Sequence, residues 1–145
     1  MAATHRPGQG FLLGLALLAA LATASYPSQP PRPTQAQVAR RFLLDILHAD
    51  YPAAYRRLAP EVRAAVPLPT FATVARPVWQ QGKASGPAIE LYQIGAWLGT
   101  GRARSQWFCR FSFARDSARR PPPMLLEVTF RDTTARAVLG FSLRR

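Results

Sequence analysis

The chain is nearly empty of cysteine, lysine and histidine. Its 145 residues include one cysteine (Cys109), one lysine (Lys83) and two histidines (His5 and His48). A single cysteine excludes an intramolecular disulfide. One cysteine and two histidines, with His5 in the N-terminal segment, do not make a zinc site by themselves, so no metal ligand set is assigned and no cofactor is expected. Acidic residues are also scarce, seven against 19 basic ones, for a net charge of +12 carried almost wholly by arginine. No glycine-rich phosphate loop follows a strand pattern, and no Ser-His-Asp spacing stands out. A strongly basic chain can meet nucleic acid, anionic lipid or acidic polysaccharide. Here the arginines occur in every segment, which reads as a compositional bias rather than as one electrostatic footprint, and nucleic acid is not the expected partner.

Long apolar runs are missing too. The longest, Phe11–Ala22 (FLLGLALLAALA), is well short of the ~20 residues that a membrane span needs. It follows Arg6 and the amino terminus and precedes Ala22-Thr23-Ala24, a small-x-small cleavage pattern. Residues 1–24 therefore read as a signal peptide. No cysteine stands at the cleavage position to take a lipid. The expectation is an exported protein, periplasmic or extracellular, soluble after cleavage and without a stable membrane span. Residues 25–33, SYPSQPPRP, hold four prolines and read as an extended tether. A 48% hydrophobic composition supplies a core for the one domain expected over 34–145.

Within that domain, helical periodicity comes first. Thr34 and Gln37 match a capping box, and Val38, Phe42, Leu43, Ile46 and Leu47 fall on one stripe, with Arg41 and Asp45 spaced as an ion pair. Asp50 and Pro52 open a short second helix, and Glu61–Val66 has room for a further turn. Thr70 caps a third helix over Phe71–Gln81, with Pro77 inside it and Gly82 just past its end. From Gly86 the period changes to two. Ala88–Leu98 reads as a strand with apolar residues on both parities, and Gly99-Thr100-Gly101 turns the chain. Gln106–Arg115 (QWFCRFSFAR) alternates Trp107, Cys109, Phe111 and Phe113 with Gln106, Arg110 and Ser112. Met124–Arg131 and Ala135–Leu143 make two further strands, the last aligning Ala137, Leu139, Phe141 and Leu143. Helices followed by strands joined by short links predict an α+β domain: three N-terminal helices packed on a four-stranded antiparallel sheet.

A long first helix ending in His48-Ala49-Asp50-Tyr51, then Ala53-Ala54-Tyr55 and Leu58, then a helix with Trp79 before a glycine and four strands, resembles the cone-shaped SnoaL-like and ketosteroid-isomerase-like (nuclear transport factor 2-like) superfamily. The resemblance covers about 34–145. It implies a curved sheet wrapped around the first helix, a cone mouth able to hold a small ligand, and a second sheet face often used for dimers. The concave wall would then carry Trp107, Phe111, Phe113, Leu126, Val128, Phe130, Leu139 and Phe141.

Catalysis in that superfamily needs acids, tyrosines or histidines aimed into the cone, because a general base must reach the proton it takes. The inward positions of strands two to four hold none of these, and Cys109 is the one titratable group among them. No catalytic residue is assigned. Cys109 itself reads as a small buried hydrophobe, and His48 as a cation at a helix C-terminus. The candidate ligand pocket consists of Trp79, Tyr92, Gln93, Trp107, Cys109 and His48. The leading expectation is a non-enzymatic protein that binds an apolar small ligand or a protein partner through its cone or sheet face. The alternatives are a small-molecule isomerase or hydrolase using His48, Tyr92 or Glu90, and a homodimer joined through outward Phe108, Leu125 and Val138 beneath a basic face carrying Arg102, Arg104, Arg110, Arg115, Arg119 and Arg120.

Overall fold

Thr34 starts the first helix by the reciprocal bonds that its spacing with Gln37 predicts. Its hydroxyl accepts from the Gln37 amide at 3.2 Å, and the Gln37 side chain accepts from the Thr34 amide at 2.8 Å. The structure, a computed structural model, describes residues 29–100 and 104–145; the expected signal peptide (1–24), residues 25–28 of the expected tether, and Gly101 and Arg102 lie outside the described residues. The elements below all belong to one compact unit, Pro31–Arg145.

Helix α1 (Gln35–Leu47) buries Val38, Ala39, Phe42, Leu43, Ile46 and Leu47 along one stripe. It ends where Ala49 takes a left-handed φ of 61°, a conformation uncommon without glycine, closed by the Asp50 amide donating to the Asp45 carbonyl at 2.8 Å. Asp50 then caps α2 (Tyr51–Arg56) through the Ala53 amide at 3.1 Å. The expected Arg41–Asp45 pair does not form. Asp45 instead binds Arg57 at 2.7 Å, because the turn after α1 folds α2 back alongside it.

Four helices precede the sheet, not three. The turn at residues 61–66 is a complete short helix, α3 (Pro60–Ala65). The last helix, α4 (Leu68–Ser85), starts before Phe71 and runs past Gln81. Pro69 falls in its first turn, where a missing amide costs nothing, so it starts the helix instead of breaking it. Gly82 is inside the helix, not beyond it. A Cβ there would lie 2.4 Å from Leu47 Cδ2, so its lack of a side chain lets α4 close on α1. The helix stops at Gly86, whose φ of 90° suits glycine.

Strands β1 (Ile89–Trp97), β2 (Gln106–Phe113), β3 (Leu125–Phe130) and β4 (Gly140–Arg144) form an antiparallel sheet in the order β1-β2-β3-β4, with β1 and β4 as its edges. The mixed parity of β1 has a simple cause. A bulge at Tyr92 shifts the register, so Leu91 faces Phe111 while Gln93 faces Arg110 and Ile94 faces Cys109. Ile89, Leu91, Ile94 and Ala96 thereby share the side of Trp107, Cys109, Phe111 and Phe113. On β3, Leu126, Val128 and Phe130 are registered with Phe111, Cys109 and Trp107.

This inner face packs on the helices. Phe42 of α1 meets Phe71 of α4 and Phe141 of β4 at centroid distances of 6.1 and 5.4 Å, in tilted and edge-on geometries that favour aromatic pairs. The fourth strand is shorter than its alternation predicts. Residues 135–139 form a strap in which the Val138 amide donates to the Arg57 carbonyl at 2.9 Å and the Ala59 amide to the Val138 carbonyl at 2.8 Å. This bridge draws Val138 fully into the core beside Leu58, which removes it from any outward dimer surface. No described helix is long and apolar enough to cross a membrane.

Candidate binding face around Trp97

The six pocket candidates are dispersed. Cys109 is fully buried in the helix–sheet core, where desolvation pushes its thiol up to about 11. Trp107 is half-buried at the margin of that core. Trp79 is half-buried on α4, with the Lys83 ammonium 4.8 Å from its ring centre. His48 is exposed past the end of α1. Tyr92 occupies the bulge, with Arg120 5.7 Å from its ring centre. Gln93 is exposed on the opposite side of the sheet from Cys109. None of the six lines any of the four clefts described below.

The outer face brings together a different set. Glu127, in the middle of β3, is only 2% exposed although it points away from the helices. Arg110 donates from Nε to Glu127 Oε2 at 2.7 Å, and Arg144 from Nη2 to Glu127 Oε1 at 2.8 Å. Both carboxylate oxygens are thus held by guanidinium groups, which a buried carboxylate requires. A second donor of Arg110, Nη1, binds Gln93 Oε1 at 2.9 Å.

Aromatic rings complete the cover. The Arg110 guanidinium lies 4.3 Å from the centre of the Phe108 ring and 5.2 Å from that of Trp97; Arg144 lies 5.4 Å from Trp97; and the two rings are 5.3 Å apart. Trp97 and Arg144 stand on opposite edge strands and meet above the middle of the sheet. Gly95 makes this possible. A Cβ there would lie 2.5 Å from Phe108 Cζ, so only glycine leaves the ring room to lie across β1. Phe108 is consequently buried on the outer face rather than offered to a partner.

A shallow cleft of about 450 Å³ adjoins this cover, lined by Trp97, Gln106, Thr129, Ser142 and Arg144. Two cations on one anion leave a single positive charge at its floor. Five large apolar residues remain exposed among the described residues: Leu91, Ile94, Trp97, Leu98 and, on α4, Val74. Four of them therefore belong to β1 or its continuation: Trp97 beside the cleft on the outer face, Leu91 and Ile94 on the helix side of the same edge strand, and Leu98 just past its end. By contrast the apolar crevice between Leu58, Val62, Val66, Phe71 and Phe141 holds only about 200 Å³, below the ~300 Å³ at which pockets for drug-sized ligands begin.

Among the described residues no three His, Cys, Asp or Glu side chains come together as a metal site would require. No family model, curated protein or solved structure matches the chain.

Alternation already puts Arg110 and Glu127 on the same side of neighbouring strands, so this pair had a signal in the sequence. Trp97 had none, because its side depends on the bulge five residues earlier. Arg144 becomes a partner of Glu127 only through the β3–β4 register.

Proposed function

We propose that the protein is an exported, non-catalytic binding protein that takes a protein partner on the β1 edge and the adjoining outer face, with Trp97 and Arg144 at the centre. The observation that carries this reading is that exposed apolar side chains gather at positions 91–98 on both sides of one edge strand, Trp97 on the outer face and Leu91 and Ile94 on the helix side. Monomeric surfaces seldom gather such residues along one edge, and tryptophan and arginine are the residue types that dominate binding energy at protein interfaces. The small volume of the apolar crevice favours a protein partner over an apolar small ligand. Export rests on the 11–24 pattern in the sequence. The order of helices before a four-stranded antiparallel sheet is what a SnoaL-like, cone-shaped relative would have, and the relation is proposed on that order together with residues 48–58.

A second reading, self-association, draws on one specific feature: among the described residues β1 pairs only with β2, leaving its other side open to a second strand. One experiment addresses both. A photo-crosslinking residue is placed at Ile94 or, as an equally exposed apolar control, at Val74 in cells that make the protein. Discrete adducts are expected from position 94 alone, reduced by about tenfold when Trp97→Ala removes a central aromatic anchor. An adduct of twice the chain's own mass selects the homodimer. Absence of adducts at 94, or equal labelling at 74, overturns the proposal.

A further inference from the structure

The strap after β3 and the two short helices enclose a second cleft, unrelated to the Trp97 face, whose lining holds four arginines and no carboxylate. It measures about 500 Å³ and is bordered by Arg56, Arg57, Arg63 and Arg136 over a floor that includes Val38 and Leu58. The arginines are placed by different devices. Arg56 lies in the last turn of α2 and Arg63 in the last turn of α3, and neither guanidinium has an ion-pair or hydrogen-bond partner among the described residues. Arg57 is anchored by Asp45.

Arg136 is immobilised by backbone oxygens. Its Nε donates to the Pro33 carbonyl at 2.6 Å, and its Nη1 faces the carbonyls of Thr133, Thr134 and Ala135 at 3.0 to 3.2 Å. Those carbonyls are themselves held in place. Asp132 Oδ1 accepts from the Thr134 amide at 2.8 Å, the Thr134 hydroxyl at 2.7 Å and the Ala135 amide at 2.9 Å, and these bonds, the hydroxyl's first, hold its carboxyl below the ordinary range. A neighbouring cleft of about 250 Å³ shares Arg136 and contains the Arg131–Glu61 ion pair. Of the local acids, Asp45 and Glu61 are engaged with Arg57 and Arg131 and Asp132 with Thr134 and Ala135, and among the described residues none forms an ion pair with Arg56, Arg63 or Arg136.

We propose that this cleft is a binding site for a soluble, multiply charged oxyanion of the phosphoanhydride or sulfate-ester kind, held by Arg56, Arg63 and Arg136. The forks of Arg56 and Arg63 match the oxygen spacing of such groups, Arg136 adds its permanent charge and its remaining Nη2 donor, and three guanidinium groups around one concave surface favour a ligand with several anionic centres over a single carboxylate. A fixed Arg136 lowers the ordering cost that a mobile arginine would add on binding.

Inorganic tripolyphosphate is the probe, titrated calorimetrically into the full chain in about 0.15 M salt, where the screening length is about 8 Å and diffuse attraction is weak. One saturable site is expected. Arg56→Ala with Arg63→Ala should weaken it by at least about tenfold. Arg41→Ala with Arg76→Ala removes the same charge from exposed positions elsewhere and should weaken it by less than about twofold. Equal losses from both pairs, or no saturable site in the unaltered chain, overturn the proposal in favour of diffuse electrostatics. Phosphatidylglycerol vesicles form a separate arm. Arg56- and Arg63-dependent vesicle binding without tripolyphosphate binding would assign the phosphate to a lipid headgroup and overturn the soluble ligand.

Discussion

Two residues of β3, neighbours in sequence, are buried to the same depth by opposite means. Val128 faces the helices and is enclosed by apolar groups, whereas Glu127 faces away from them and is enclosed by Arg110 and Arg144 under a tryptophan. On the helix side the cover comes from distant chain segments, α1 and α4, and nothing in it needs direction. On the outer side the cover comes from the sheet's own strands, and each polar atom must find a particular donor. The lesson is that an outward face can be as well ordered as a core while its rim stays accessible. Trp97 and Arg144 both shield Glu127 and present themselves to solvent.

The sharpest way to test this contrast is to remove one residue from each side. Phe111→Ala opens a cavity under α1 and should cost about 3–5 kcal/mol in chemical denaturation. Glu127→Ala leaves two guanidinium groups facing a vacated site. Because Arg110 and Arg144 keep 16% and 47% of their side-chain surface in water, the loss should be smaller, about 2 kcal/mol, rather than the 3–5 kcal/mol of a fully buried pair. Replacing all three charges together, Glu127→Leu with Arg110→Met and Arg144→Met, should cost less than Glu127→Ala alone. If instead the triple variant is the worse of the two, the outer face is stabilised by its charges themselves and the comparison fails.

The smallest effect is confined to alkaline solution and concerns the inner face alone. Burial raises the Cys109 thiol from an ordinary value near 9.0 to about 11, so the folded chain holds this proton more tightly than the unfolded one. Its contribution to stability is complete below about pH 9 and is lost as pH rises through about 11. Urea titrations at pH 8, 10 and 11 should show the native chain losing stability relative to Cys109→Val across that interval. A constant difference between the two would mean that the thiol is not shielded by the core.

Much of this architecture was legible because it is periodic. The stripe from Val38 to Leu47 and the alternation of Trp107, Cys109, Phe111 and Phe113 each report a buried face, and the structure has both. Misreadings arose where a residue's usual role depends on what lies next to it. Gly82 looked like a terminator but is a contact point for Leu47, and the helix expected from Phe71 starts at Leu68. Val138 followed the parity of a strand that the chain does not form there.

The sequence by itself determined the order of elements, the capped first helix and the apolar inner face, because these follow from periods of 3.6 and 2 and from local hydrogen bonding. Only the tertiary structure decided which charges meet and which apolar side chains stay uncovered. Arg144 reaches Glu127 from 17 residues away, and Arg136 joins Arg56 and Arg63 around one cleft, through register and chain crossing. A one-residue bulge at Tyr92 sets the side on which Trp97 emerges. Side-chain spacing along one element cannot encode such placements, since they depend on how separate elements are stacked.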